Sequence, residues 1–174
     1  MFEIREIDPQ EYRTRTRNAM LRIMALYLPV GFTTSYTFPR LLGETTYNPF
    51  VLQIIGAIIG LALVFWLTIR FFKHQDWMKE AMYGWQLKRC LMYITNAMQP
   101  LQKKVEAGDV EAMKLLRFYH LGVFQMYRLE QNASDLVDHK VEMDRLEEKM
   151  MALGLELNQT RFDLDKLKQV TAKN

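Results

Sequence analysis

Residues 45–69 read TTYNPFVLQIIGAIIGLALVFWLTI, a run without one charged side chain, closed by Arg70. A soluble core helix of that length carries polar interruptions on one face, whereas about 20 apolar residues cross the hydrocarbon layer of a bilayer. The run therefore reads as a transmembrane helix. Asn48 is placed to cap it and Pro49 to fill its first turn. Inside it, Gly56 and Gly60 stand one turn apart in a small-xxx-small pattern, which lets another backbone approach closely. Two occupants suit that groove: the neighbouring span of the same chain, or a helix from a second copy or a partner.

Working outward, residues 23–39, IMALYLPVGFTTSYTFP, are also uncharged but reach only the short end of the spanning range. Ala19, Met20 and Leu21 lengthen this segment if Arg22 extends its guanidinium to the headgroups. Pro29 is expected to kink it, with Thr33, Thr34 and Ser35 satisfying the carbonyls so freed. An interfacial or re-entrant helix is the alternative. Asp8-Pro9-Gln10-Glu11 supplies a cap, a first-turn proline and a first-turn carboxylate, so the helix should start near Asp8 and run into the bilayer. The acids Glu3, Glu6, Asp8 and Glu11 do not suit a cleaved secretory signal. The connector, residues 40–48, is short, which makes the spans (about 19–40 and 49–70) antiparallel neighbours.

Basic residues orient this hairpin. Arg5, Arg13, Arg15, Arg17 and Arg22 precede the first span, and Arg70, Lys73, Lys79, Lys88 and Arg89 follow the second; the connector carries Arg40 beside Glu44. The positive-inside rule places both termini in the cytoplasm. Tyr47 and Phe50 at one end, with Trp66 and Phe71 at the other, suit interfacial aromatic belts. Arg13, Arg15, Arg17, Arg22 and Arg70 are the candidate lipid-headgroup contacts.

The chain of 174 residues thus divides into a basic leading helix (1–18), a hairpin (19–72) and a cytoplasmic helical domain (73–174). Its mean hydropathy of −0.16 averages a greasy first half with a charged second half. The net charge of +3 is not gathered on one basic face, so nucleic acid is not an expected partner. Beyond residue 70 no strand-like alternation stands out and helices account for the chain. The first runs from Asp76 as cap to Ala107, with a kink or break at Pro100. Gly108 then ends one helix and Asp109 caps the next.

That next helix, residues 110–131, is apolar on almost every side; Leu115, Phe118, Tyr119, Phe124 and Tyr127 are candidate interface residues. It is either sandwiched between neighbours or covered by another chain. After Ser134-Asp135, Leu136, Met143, Leu146, Met150, Leu153 and Leu157 make an a/d seam spoiled by His139. It suits intradomain packing or a short intermolecular coiled coil, with Gly154 weakening its end. A short helix over residues 161–170 closes the domain.

No phosphate-cradling glycine loop, nucleophile elbow or zincin pattern is present. His74, His120 and His139 fall in separate segments, and His120 reads as a core histidine. The single Cys90 permits neither an intrachain disulfide nor a cysteine zinc cage. It reads as a packed thiol in preference to one activated by Lys88 and Arg89. Asn132-Ala-Ser134 and Asn158-Gln-Thr160 match the glycosylation sequon but fall on the side assigned to the cytoplasm. No enzyme activity, cofactor or metal is expected.

The strings WQLKRCLMYITN (85–96), LRFYHLGVFQMYRLEQN (116–132) and ALGLELNQTRFD (152–163) resemble a family of small bacterial membrane proteins classified only as a domain of unknown function. The likeness runs from IDPQEYR (7–13) onward and implies a bacterial inner-membrane location. It brings no activity or ligand. The sequence thus leads to an all-α membrane protein, a two-span hairpin followed by a cytoplasmic helical domain with a coiled-coil-like C-terminal helix. Its expected role is that of an accessory or scaffolding subunit, with lipids and other subunits or its own copies as partners. Two alternatives stand beside it: an oligomeric pore or transport accessory lined by Thr33, Thr34, Ser35, Tyr36 and Gln53, and a lipid-sensing surface protein using the arginines.

Overall fold

Apolar periodicity and well-placed caps make most of this chain helical. The computed structural model describes residues 1–43, 48–131 and 136–172, apart from the side chains of 136–139. Tyr47, the sequon at 132–134 and the side chains of Leu136 and His139 therefore lie outside the described residues. In order come strand β1 (Phe2–Glu3), helices α1 (Pro9–Leu42) and α2 (Pro49–Arg70), and 3-10 turns at Phe72–His74 and Asp76–Met78. Helices α3 (Lys79–Asn96), α4 (Met98–Glu106), α5 (Val110–Glu130) and α6 (Leu136–Ala152) follow, then β2 (Arg161–Phe162) and α7 (Leu164–Ala172). Among the described residues the regular structure is helical apart from this short strand pair, which has no counterpart in the expectation above.

The caps explain several boundaries. Asp8 Oδ2 accepts from the Glu11 N–H at 2.9 Å, and Asn48 Oδ1 from that of Phe50 at 2.9 Å, as expected. Gly108, at φ +84°, ends α4, and the N–H of Asp109 returns to the Lys104 carbonyl at 3.0 Å. Asp109 then caps α5 by accepting from Glu111 and Ala112. Gly154, at φ +66°, terminates α6 in the same way, with Leu155 N–H bonded to the Met150 carbonyl at 2.9 Å. It acts as a stop instead of a weak point.

One expected boundary is corrected. Asp76 does not cap a helix; its carboxylate pairs with Lys79 at 2.6 Å inside a 3-10 turn, and α3 begins at Lys79. The break expected from Pro100 is present, and it falls at Ala97, between α3 and α4. A helix continued through Pro100 would set its ring against the Asn96 carbonyl, whereas in the first turn of α4 the missing N–H costs nothing. By contrast α1 is continuous through Pro29 and Pro39. Thr33 and Thr34 donate to the carbonyls of Pro29 and Val30, and Ser35 to that of Gln53. None reaches Ala25, the carbonyl whose i+4 donor Pro29 removes.

The chain divides into two units, Met1–Arg13 with Tyr83–Asn174, and Thr14–Met82. In the first, α5 is the central element, packed by α4, α6, α7 and β2. The surplus of apolar surface on α5 is covered from the chain's two ends. Strands β1 and β2 pair antiparallel, Phe2 opposite Phe162. The Phe162 ring stacks on Phe118 at 5.2 Å, and Phe2 meets Phe118 edge-on at 6.5 Å. Arg5 is clamped through its backbone: its N–H donates to the Tyr83 hydroxyl at 3.1 Å, and its carbonyl accepts from Gln125 Nε2 at 2.9 Å.

Burial pushes the Tyr83 phenol above its ordinary pKa. A phenol whose folded pKa is raised contributes stability that is present below pH about 10 and lost as the pH climbs through the folded value. Tyr83→Phe should cost about 1 kcal/mol at neutral pH. Above pH 10 the difference from wild type should shrink, measured by chemical denaturation between pH 8 and 11. A constant difference over that range would show that Tyr83 does not titrate with unfolding.

In the second unit α1 and α2 pack antiparallel. A Cβ built on Gly56 would lie 2.5 Å from the Thr34 carbonyl oxygen and 2.8 Å from Ser35 Cα. One on Gly60 would lie 2.8 Å from Gly31 Cα and against Thr34 Oγ1. The two glycines therefore serve the approach of the chain's own neighbouring helix.

Candidate functional site

The outer face of α1 and α2 is an exposed apolar surface. Among the described helices, α2 with the turn after it (Pro49–His74) is long and apolar enough to cross a membrane, and only 22% of its most apolar 18 residues are buried. Phe50, Ile54, Ile58, Leu61, Phe65 and Trp66 are all exposed. Helix α1 adds Met20, Met24, Leu28 and Phe32 to the exposed apolar side chains, but its threonines and tyrosine keep it below the same measure of length and apolarity.

The five candidate lipid arginines are not equivalent. Arg13 donates to the Leu129 carbonyl at 3.5 Å, closing the last turn of α5. Arg15 pairs with Glu80 at 3.0 Å. Arg22 lies over the Trp77 ring and Arg70 over Phe71. Arg17 is exposed.

A cleft of about 470 Å³ opens between the end of α3, α4, α5 and α6. Leu116, Val105 and Leu146 form its apolar walls, with His120, only 4% exposed, set among them. Its rim carries Glu106 and Glu142 against Arg145 and Lys149, so it favours neither sign of ligand. Among the described residues no three His, Cys, Asp or Glu side chains converge as a metal cage. Cys90 is buried and its thiol is pushed up by desolvation, which matches a packed thiol.

Several candidate interface residues belong to the core instead. Leu115, Phe118, Leu146 and Met150 are buried within the helical unit, and Tyr119, Tyr127 and Met143 are half-buried. The seam on α6 is an intradomain one, since α6 packs on α5. Phe124 and Leu153 remain exposed, at 49% and 55%. Arg117, unforeseen from the sequence, is buried; its Nε donates to the Leu157 carbonyl at 3.1 Å, and Nη1 lies 3.1 Å from Glu147. A charge inside an apolar helix was the available signal.

The family model for a protein of unknown function, DUF3087, matches residues 2–167. The chain belongs to that family. The DUF3087 match begins at Phe2 in β1 and ends at Leu167, a buried residue of α7, so the joined ends of the chain are part of the family's domain. No curated protein and no solved structure matches the chain.

Proposed function

We propose that this protein is a non-enzymatic membrane anchor and interaction subunit. Helices α1 and α2 cross a bacterial inner membrane as a two-span hairpin, both termini are cytoplasmic, and the helical unit engages another subunit or a second copy. The observation that carries this reading is the exposure of α2: an apolar helix of spanning length with only 22% of its most apolar 18 residues buried needs an apolar surrounding. The clustering of Lys and Arg on both flanks, and not in the connector, supports the orientation. Phe124 and Leu153 are the candidate contacts that remain available to a partner. The engagement of the Thr33, Thr34 and Ser35 hydroxyls with main-chain carbonyls speaks against a pore lined by them.

The test combines extraction and labelling. The protein should stay with membranes through alkaline carbonate, and release into the supernatant would refute the anchor. In a Cys90→Ser background, Leu41→Cys should react with an impermeant maleimide on intact cells, and Lys103→Cys only after lysis. The reverse pattern would overturn the orientation.

A further inference from the structure

Arg15, Asn18 and Arg22 follow at spacings of three and four, which puts them on one stripe of α1. With Asp76 and Trp77 they line a notch of about 200 Å³ within the second unit. Its two walls differ in charge. On the α1 wall, Arg22 sits with Cζ 5.3 Å from the centre of the Trp77 ring. The ring fixes the guanidinium through its π face and consumes none of its N–H donors. Among the described residues neither Arg22 nor the Asn18 amide has a hydrogen-bond or ion-pair partner. Arg15 is held by Glu80, whose side chain is only 14% exposed. On the opposite wall stands Asp76, kept ionised by its hydrogen bond from Lys79, with its side chain 89% exposed.

A guanidinium and a neutral amide donor facing a carboxylate complement a dipolar ligand, a phosphodiester with an amine close by. Arginine is suited to the phosphate and a primary ammonium to the carboxylate. The source of such a ligand rests on the membrane reading above. Arg22 is the last charge before the uncharged residues 23–39, and Trp77 lies shortly beyond Arg70, where α2 ends. In that setting the notch opens at headgroup level on the cytoplasmic side.

We propose that this notch binds the headgroup of a phospholipid bearing a primary amine, the phosphate on Arg22 and Asn18 and the ammonium on Asp76. Trp77 is a positioning residue that holds the Arg22 guanidinium.

The full chain, reconstituted in nanodiscs with equal parts of phosphatidylethanolamine, phosphatidylcholine and phosphatidylglycerol, is analysed for retained lipid by native mass spectrometry. Phosphatidylethanolamine should be enriched over phosphatidylcholine by roughly tenfold, the ratio given by one charge-assisted hydrogen bond that a quaternary ammonium cannot make. Asp76→Asn should bring that ratio to about one, while Arg22→Gln should lower retention of all three lipids; both side chains are exposed, so neither change threatens folding. Equal retention of the three lipids by wild type, preference for phosphatidylglycerol, or ratios unmoved by both variants would overturn the proposal. A protein that resists carbonate yet discriminates no headgroup leaves the anchor standing and removes only the notch.

Discussion

Phe118→Ala is expected to destabilise the helical unit by about 3–5 kcal/mol, the range for emptying a fully enclosed aromatic site. Phe118 has no exposed surface, and its ring is stacked on Phe162 and met edge-on by Phe2. Those three rings come from α5, β2 and β1, so the same deletion withdraws the surface on which both ends of the chain seat. Against a typical domain stability of about 5–15 kcal/mol, the loss is a large share of what holds the unit folded. The measurement is chemical denaturation of the full chain in mild detergent, followed by near-UV circular dichroism. Phe124→Ala is the control on the same helix: half exposed, it should shift stability by less than about 0.5 kcal/mol. Equal losses for the two variants would contradict the assignment of Phe118, and not Phe124, to the core.

The contrast between these two phenylalanines also marks the limit of what the sequence discloses. Periodicity, Asp8-Pro9, Asn48-Pro49 and Gly108-Asp109 carry local instructions, and the helix starts they predict are where the structure has them. What local pattern does not carry is the identity of the covering element. Helix α5 looks over-greasy because the side chains that cover it, Phe2, Ile4 and Phe162, are far away in sequence. The alternation of Phe2-Glu3-Ile4 was the only trace of a strand, and it is too short to weigh against a helical background. For the same reason Leu115, Phe118, Leu146 and Met150 resemble a sticky surface in one dimension and are a core in three. Arg13 and Arg15 illustrate the reverse error. Read as flanking charges they suit lipid phosphate, but each has a protein acceptor, Leu129 and Glu80 respectively, that no spacing rule anticipates. Arg22 differs because its partner is an aromatic face, which leaves its hydrogen bonds unspent.

Gly60→Leu is expected to disrupt the pairing of α1 with α2. The atoms that a side chain at 60 would meet include Gly31 Cα at 2.8 Å and the Thr34 hydroxyl, so it presses on backbone and on a side chain bonded to the Val30 carbonyl. Flexible side chains can rotate away from an intruding methyl; a helix backbone has to move as a body. Overpacking of this kind costs about 1–3 kcal/mol, and leucine adds three carbons beyond the Cβ that already collides. Spin labels at Thr37 and Val51, on exposed positions of the two helices, should report a longer and broader distance distribution in Gly60→Leu than in wild type. Ile58→Ala, which trims an exposed side chain on the same helix, should leave that distribution unchanged. The experiment also separates the two uses of a small-xxx-small groove. If Gly60→Leu left the intrachain distance intact but converted a dimer into monomers, the glycines would serve a second copy and the packing against α1 described above would be wrong. Widening of the intrachain distance, with the oligomeric state unchanged, assigns Gly56 and Gly60 to the packing of α1 on α2 and leaves Phe124 and Leu153 as the exposed members of the candidate interface at which to look for a partner.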